Sequence, residues 1–266
     1  MIGSVAKALE ILGLFSTDEP RLMLTTISKR MGIPKSTAHH LISTLLRYGF
    51  IEQQEDASYA LGKTIIALTQ NVLVNVELRD RAAPLLRQLA DVCSESVYLT
   101  VRDGDQVLYI YAIESPQRLL ARTAVGDRAP LYCTSVGKAI LAFMPSRDIV
   151  RMYGESGAPL SAFTPHTLTG LNSLLDELAL SRSRGYAIDN QEHELNTYCV
   201  GAPIFNASNA VIGACSISGT DPQIVGARLE TLADGVVEVT QEISRRMGYV
   251  PGRMSMVRHN HARGGA

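Results

Sequence analysis

One stretch constrains the fold more than any other. Gly32 can take a left-handed turn and Pro34 suits a first helical turn, and behind them Ala38, Leu41, Ile42 and Leu45 recur at i, i+3, i+4 and i+7. That spacing predicts a helix over residues 34–48, stopped by Gly49, with Ser36, His39, His40, Ser43 and Arg47 on the opposite, wet face. A short helix precedes the glycine, capped by Thr25 or Thr26, with Ile27 and Met31 as its apolar contacts. Earlier still, Val5, Ala8, Leu9, Leu12 and Phe15 share one face of a first helix that Asp18, Glu19 and Pro20 stop. Residues 50–54 and 59–61, around the turn-rich 55–58, read as a hairpin. Helix, short helix, tight turn, helix and hairpin is the order of a winged helix-turn-helix.

The formal charge of −1 over 266 residues looks unsuited to a nucleic-acid partner. A local count changes that. Between Arg21 and Ile51 the charged residues are Arg21, Lys29, Arg30, Lys35 and Arg47, with no acid; Glu10, Asp18, Glu19, Glu52, Glu55 and Asp56 lie outside. A basic patch therefore coincides with the helix whose wet face would meet phosphate. Apolar residues at 46% against 19% charged exclude disorder across the chain. At roughly 150 residues per domain the length favours one large domain or two unequal ones. No apolar run approaches the roughly 18 residues of a membrane span, and no signal-peptide pattern opens the chain, so a cytoplasmic protein without a membrane partner is expected. Cys93, Cys133, Cys199 and Cys215 are far apart with no C-x-x-C pair, which predicts reduced thiols and no metal site. The absence of tryptophan argues against a carbohydrate or single-strand stacking platform.

Past Gly62, Ile65, Ile66, Leu68, Thr69, Val72 and Val76 predict a linker helix whose broad apolar face serves a subunit contact. A helix around 82–92 then leads into an α/β region. Strands over 97–101 and 107–113 flank Asp103, Gly104 and Asp105; helices cover 134–143 and 168–183, the latter closed by Gly185; strands over 199–205 and 211–218 join through 206–209; a long helix spans 223–247. The expected class is α+β, with a winged helix-turn-helix at 1–62, a linker helix at 63–78, an α/β domain at 79–248 and a disordered tail at 249–266.

Several segments, taken in this order, resemble one family. They are Ser4-Val5-Ala6-Lys7-Ala8-Leu9-Glu10-Ile11-Leu12, Gly32-Ile33-Pro34-Lys35-Ser36-Thr37 and Tyr59-Ala60-Leu61-Gly62, followed by Thr134-Ser135-Val136-Gly137-Lys138-Ala139. Arg184-Gly185-Tyr186-Ala187-Ile188-Asp189 through Glu192-His193, Cys199-Val200-Gly201-Ala202-Pro203-Ile204 and Ser216-Ile217-Ser218-Gly219 complete the set. Over nearly its whole length the chain is similar to the isocitrate lyase regulator (IclR) family of bacterial transcription factors. The resemblance implies a GAF-like effector-binding domain behind the winged helix, assembly as dimers or dimers of dimers, a double-stranded operator and a small organic acid as partners, and no cofactor. The DNA contacts are expected on the acid-free polar face of the 34–48 helix, at Lys35, Ser36, Thr37, His39, His40, Ser43 and Arg47, and the resemblance adds the effector side. Effector contacts fall on the start of the Thr134 helix, with Ser135, Val136 and Gly137, and on Asp189, Cys199, Ser216 and Ser218.

The chemistry of those residues is consistent on its own terms. A helix start offers unpaired N–H groups to a carboxylate, and Ser216 and Ser218, two apart on a strand, point to one face. Asp189 would repel a carboxylate and is better suited to accept a hydrogen bond from a ligand hydroxyl or from a serine. His40 and Asn196 stand where the family commonly has Arg and Gly, and Ser135 and Val136 replace more usual small residues. Plainer readings stand beside these: a polar helix face, small serines under a helix, Cys199 as a buried hydrophobe, and Asp189 as a brace through Asn196. A sensor or scaffold that acts without DNA is a second reading, opposed by the clustered basic residues. A hydrolase is a third: Ser135-Val136-Gly137-Lys138 matches S-x-x-K, but its partner elements are absent, and Cys199 with His193 lacks an oxyanion hole. No catalytic residue is assigned.

Overall fold

A computed structural model describes residues 2–16, 19–69, 73–115, 125–154 and 158–251. Asp18, Val72 and the expected tail from residue 252 onward lie outside this set, as do the side chains of Thr69 and Val76. The chain divides into two compact units, Met1–Val76 and Glu77–Ala266.

In the first unit, α1 (Gly3–Leu12), α2 (Leu24–Met31) and α3 (Lys35–Arg47) precede a hairpin of β1 (Ile51–Gln53) and β2 (Tyr59–Leu61), and α4 (Thr64–Thr69) follows. Leu22 bridges to Tyr59 and adds a third, one-residue rung to the wing. The core is built from Ile11, Leu22, Ile27, Ile42, Leu45, Ile51 and Tyr59. On α3 the expected stripe is inside: Ala38 and Ile42 are fully buried. Of the expected face of the first helix, Ala8, Leu12 and Phe15 pack against this core, while Val5 and Leu9 do not. Ile11, outside the expected face, is fully buried, and Val5 and Leu9 are 53% and 63% exposed. Two caps also differ: α2 starts at Leu24 behind Met23, so neither Thr25 nor Thr26 caps it, and Pro34 is the N-cap of α3 rather than part of its first turn. Gly32 holds the left-handed φ of +62° that turns α2 into α3.

The second unit takes in most of α5 (Leu73–Cys93), which runs through Pro84 and includes the residues expected as a separate helix at 82–92. Then come β3 (Ser96–Asp103), β4 (Gln106–Ile113), β5 (Arg128–Pro130), α6 (Ser135–Leu141), α7 (Ser146–Gly154), α8 (Leu171–Arg184), β6 (Ala187–Asn190), β7 (Tyr198–Phe205) and β8 (Val211–Gly219). A 3-10 turn (Pro222–Val225) separates β8 from α9 (Leu229–Arg246), where the sequence pattern predicts one continuous helix. β5, α7 and β6 are additions to the expected elements. The two strands are three and four residues long, too short for an alternation to register.

The strands form one antiparallel sheet in the order β5-β4-β3-β8-β7-β6. One face is a dry core in which Val97, Leu99, Val200, Ala202, Cys215 and Ile217 meet α5 through Leu78, Ala82 and Leu86, and α9 through Val236 and Ile243. The other face packs α6, α7 and α8 through Ile140, Leu141, Ile149, Leu174 and Leu178. Polar residues of the sheet collect on this second face.

The burial of α3 generates a direct expectation. Ile42→Ala removes a fully buried side chain from a small core and should cost the first unit about 2–5 kcal/mol, read from urea unfolding followed by far-UV circular dichroism.

Candidate functional site

Two sites emerge, one in each unit. On α3, Lys35, Ser36, His39, His40, Thr44 and Arg47 are exposed and Thr37 and Ser43 are half-buried, so the sequence-predicted DNA residues do share one accessible face. The first turn of α3 carries no acid. Among the described residues neither Lys35 nor Arg47 has an ion-pair partner, whereas Arg30 is paired to Glu19 at 2.7 Å and contributes less positive field than its sequence position suggests. Ser43 Oγ donates to the His39 carbonyl at 2.8 Å, leaving that hydroxyl as an acceptor only, and the two histidine rings meet edge to face at 6.2 Å. Thr44, whose hydroxyl likewise bonds back to His40 at 3.1 Å, escapes the sequence reading although its i+4 spacing from His40 places it on the same face. At the wing, Asp56 Oδ1 accepts from the Ser58 hydroxyl at 2.5 Å and from the Ser58 backbone N–H at 3.0 Å. The two bonds hold its carboxyl below the usual range and keep an anion at the hairpin tip.

In the second unit the strand register assembles a cavity. Asp189 lies opposite Cys199, and Cys199 opposite Ser218; Gly201 lies opposite Ser216, and Ser216 opposite Tyr98. These rows put one polar side chain after another on the face covered by α6. Gly201 is what lets α6 approach: a Cβ there would stand 3.0–3.1 Å from backbone atoms and the hydroxyl of Ser135. A bulge between Leu99 and Thr100 pairs Thr100 with Tyr109, turning Tyr109 onto the same face as Tyr98, and the two rings pack edge to face at 5.6 Å. The result is a cavity of about 260 Å³ lined by the sequence-predicted Thr134, Ser135, Val136, Asp189, Cys199, Ser216 and Ser218.

Gly137 is not in that lining. Its backbone N–H is taken by the Thr134 hydroxyl at 3.2 Å, and a Cβ would reach 2.2 Å from the Leu131 carbonyl, so it serves the close packing of α6. The remaining wall, Tyr98, Tyr109, Asp127, Arg128, Ala129, His193, Glu194 and Thr197, lies beyond what the sequence pattern predicts. Most of these residues come from β4, β5 and the loop after β6, and only the bulge and the register bring them to one place.

The cavity is polar, and Asp189, Ser216 and Ser218 are buried in its wall. The Cys199 thiol donates to Ser218 Oγ at 3.1 Å. Among the described residues no hydrogen bond engages the hydroxyls of Ser135, Ser216 or Tyr109, which leaves three donors for a guest. Asp189 accepts from the backbone N–H of Glu192 at 2.7 Å, so the suggested brace through Asn196 is corrected: the Asn196 N–H donates to Gln191 Oε1 instead. Burial pushes the Asp189 carboxyl up to about 7, against an ordinary 3.8, and the nearby Glu192 carboxylate adds to the rise while Lys138 opposes it. In its protonated form this carboxyl can donate to a carboxylate, and in its ionised form it would repel one. Burial also lowers His193 and raises Cys133 to about 12, so neither supplies charge near neutrality. Among the described residues no group of His, Cys, Asp or Glu is arranged to hold a metal ion, and no helix is long and apolar enough to cross a membrane.

The chain matches "Bacterial transcriptional regulator IclR C-terminal" over residues 70–245 and "IclR helix-turn-helix domain" over 4–55. It is 32% identical over 250 residues to the HTH-type transcriptional regulator XynR of Escherichia coli, spanning 94% of this chain and 98% of that protein. The crystal structure of the Thermotoga maritima IclR superimposes with a TM-score of 0.78 at 31% identity, covering 94% of this chain and all of the other. An IclR homolog from Microbacterium hydrocarbonoxydans, crystallised with 4-hydroxybenzoate, shares the fold with a TM-score of 0.83 at 22% identity, covering 92% and 98% of the two chains.

The raised Asp189 carboxyl has a stability consequence with a definite sign. The folded state keeps the proton that the unfolded chain gives up near 3.8, so stability is lost as pH rises from about 4 to about 7 and not beyond. Asp189→Asn removes that loss. In a thermal melt without ligand, the difference in Tm between the variant and the wild type should move in favour of the variant between pH 5 and pH 7.5 and then level off; a difference independent of pH would contradict the assignment.

Proposed function

The chain belongs to the IclR family of bacterial transcriptional regulators, and from that premise we propose that it grips a partly palindromic operator as a dimer or dimer of dimers, under control of a small organic acid. It is a ligand-responsive DNA-binding regulator. The observation that carries the operator reading is the face of α3, acid-free and accessible, with Lys35 and Arg47 not engaged in ion pairs among the described residues. In this reading the helix enters the major groove, Lys35, Ser36, Thr37, His39, His40 and Ser43 contact bases and phosphates, and Arg47 contacts the backbone. The acidic wing tip lies beside the duplex rather than against phosphate. Exposed Ile2, Val5 and Leu9 at and along α1, with Leu68 on α4, supply apolar surface for self-association. Two reading helices about 34 Å apart then set the half-site spacing, and ligand changes it through the linker.

For the effector, the cavity is smaller than the roughly 300–1,000 Å³ that receives drug-sized molecules, which favours a compact acid. The 4-hydroxybenzoate held by the Microbacterium protein is of that class. The backbone N–H groups of Ser135 and Val136, the hydroxyls of Ser135 and Ser216 and the neutral form of Asp189 suit the carboxylate end, and the Tyr98–Tyr109 wall suits a flat apolar body. α6 has only seven residues, so the amides themselves, not a long helix dipole, would do the binding. A hydrolase is disfavoured: the Lys138 ammonium is engaged by Glu192 and cannot serve Ser135 as a base, and the Cys199 thiol donates to a serine instead of to His193. We place the protein in the cytoplasm, where its operator is.

Lys35→Ala combined with His39→Ala should weaken operator binding in a gel shift at fixed salt while leaving the circular dichroism spectrum intact; undiminished affinity would sink the reading-helix assignment. In a thermal-shift screen of 4-hydroxybenzoate, benzoate, pyruvate and glyoxylate, at least one acid should raise the Tm of the wild type and not that of Ser216→Ala. An equal shift in both proteins would remove Ser216 from the ligand shell.

A further inference from the structure

The most deeply buried charge among the described residues belongs to Lys138, on α6 three residues after Ser135. Its side chain is 1% exposed and its ammonium is paired with Glu192 Oε1. Glu192 sits at the head of the loop that joins β6 to β7, and it is bound at three points. Its carboxylate meets Lys138 on α6, its backbone N–H donates to Asp189 Oδ1 on β6 at 2.7 Å, and its carbonyl accepts from the Thr167 hydroxyl at 2.6 Å. Thr164 adds a bond to the neighbouring Gln191 carbonyl at 2.6 Å. The next two residues of this loop, His193 and Glu194, line the cavity, as do Ser135 and Val136 at the start of the helix that carries Lys138. The pair itself is outside the cavity lining.

A buried ion pair is a weak source of stability, because desolvation cancels most of the attraction. Here the pair is also incomplete: Glu192 Oε2 has no hydrogen-bond partner among the described residues. What it does supply is direction, since a charge-assisted bond fixes the separation of the two elements it joins. We infer that Lys138 and Glu192 are positioning residues of the effector cavity, a latch that holds the start of α6 and the β6–β7 loop in the one arrangement that lets their amides and side chains converge on a guest. This deepens the effector reading of the cavity and rests on it for its ligand, although the latch itself is a property of the chain without ligand.

The two roles are separated by removing both charges together. Lys138→Met or Glu192→Leu alone strands a buried charge and should lower the Tm sharply, whereas the double variant Lys138→Met with Glu192→Leu should recover most of it. A structural role ends there. A positioning role predicts that the double variant, at near wild-type Tm, shows faster amide hydrogen exchange over residues 135–138 and 190–197, and that an acid which stabilises the wild type binds it more weakly by roughly 5- to 150-fold. Thr167→Val offers a second probe that keeps the ion pair and removes the hydroxyl that donates to the Glu192 carbonyl and accepts from the Phe163 and Thr164 N–H groups, and it should raise exchange over 190–197. Wild-type exchange in both variants, or undiminished binding of the acid to the double variant, would overturn the inference. If the double variant does not fold, exchange in Thr167→Val decides. Should none of 4-hydroxybenzoate, benzoate, pyruvate or glyoxylate stabilise the wild type, the effector reading fails separately and the exchange result still stands as the measure of the latch.

Discussion

The second unit is organised by the close approach of α6 to the backbone of β7. Gly201 provides the space for Ser135, Gly137 lies against Leu131, and Thr134 closes the helix start by taking the Gly137 N–H. With α6 seated this way, the polar rows of β7 and β8 are roofed rather than exposed, and a sheet face that would otherwise be wet becomes the floor of a cavity. The opposite face of the same sheet is filled by apolar side chains from α5 and α9 and packs as a dry core. One sheet thus packs a dry core on one side and floors a polar cavity on the other, and the division follows from which residues alternate onto each face.

Enclosure is also what changes the chemistry of the acids. Asp189 is an ordinary carboxyl made unusual by burial, which disfavours its anion and raises it to about 7. Among the described residues the hydroxyls of Ser135, Ser216 and Tyr109 are not engaged, and together with a protonated Asp189 they offer the cavity hydrogen-bond donors. The buried ammonium nearby, that of Lys138, is engaged by Glu192 and acts on the architecture of the site instead.

The first unit works by a simpler rule. Its apolar stripe on α3 is buried, so the polar stripe must face outward, and the absence of acids between Arg21 and Ile51 leaves that outward face positive. The near-neutral total charge conceals this because the acids are placed elsewhere, around α1, in the wing and in the larger second unit. Arg30 shows the limit of counting along a sequence: it belongs to the basic stretch, but Glu19, eleven residues earlier, folds back and neutralises it.

The helices, turns and polar faces that depend on neighbours within a few residues are legible in the sequence. Gly32, the stripe from Ala38 to Leu45, Gly185 after α8 and the placing of Ser216 with Ser218 on one face are local consequences of backbone geometry and period, and the family resemblance extends them to the cavity floor. The remaining wall is not legible in this way. Tyr109 reaches the cavity only because one extra residue at a bulge reverses its side of β4, and a strict alternation carried back from Tyr111 and Ile113 assigns it to the opposite core. Arg128 arrives on a strand of three residues with Asp127 just ahead of it, and Lys138 meets a glutamate 54 positions away. Periodicity in a sequence records which side of its own element a residue occupies; register, bulges and the folding of distant segments onto one another decide what it faces, and those are settled only when the whole chain packs.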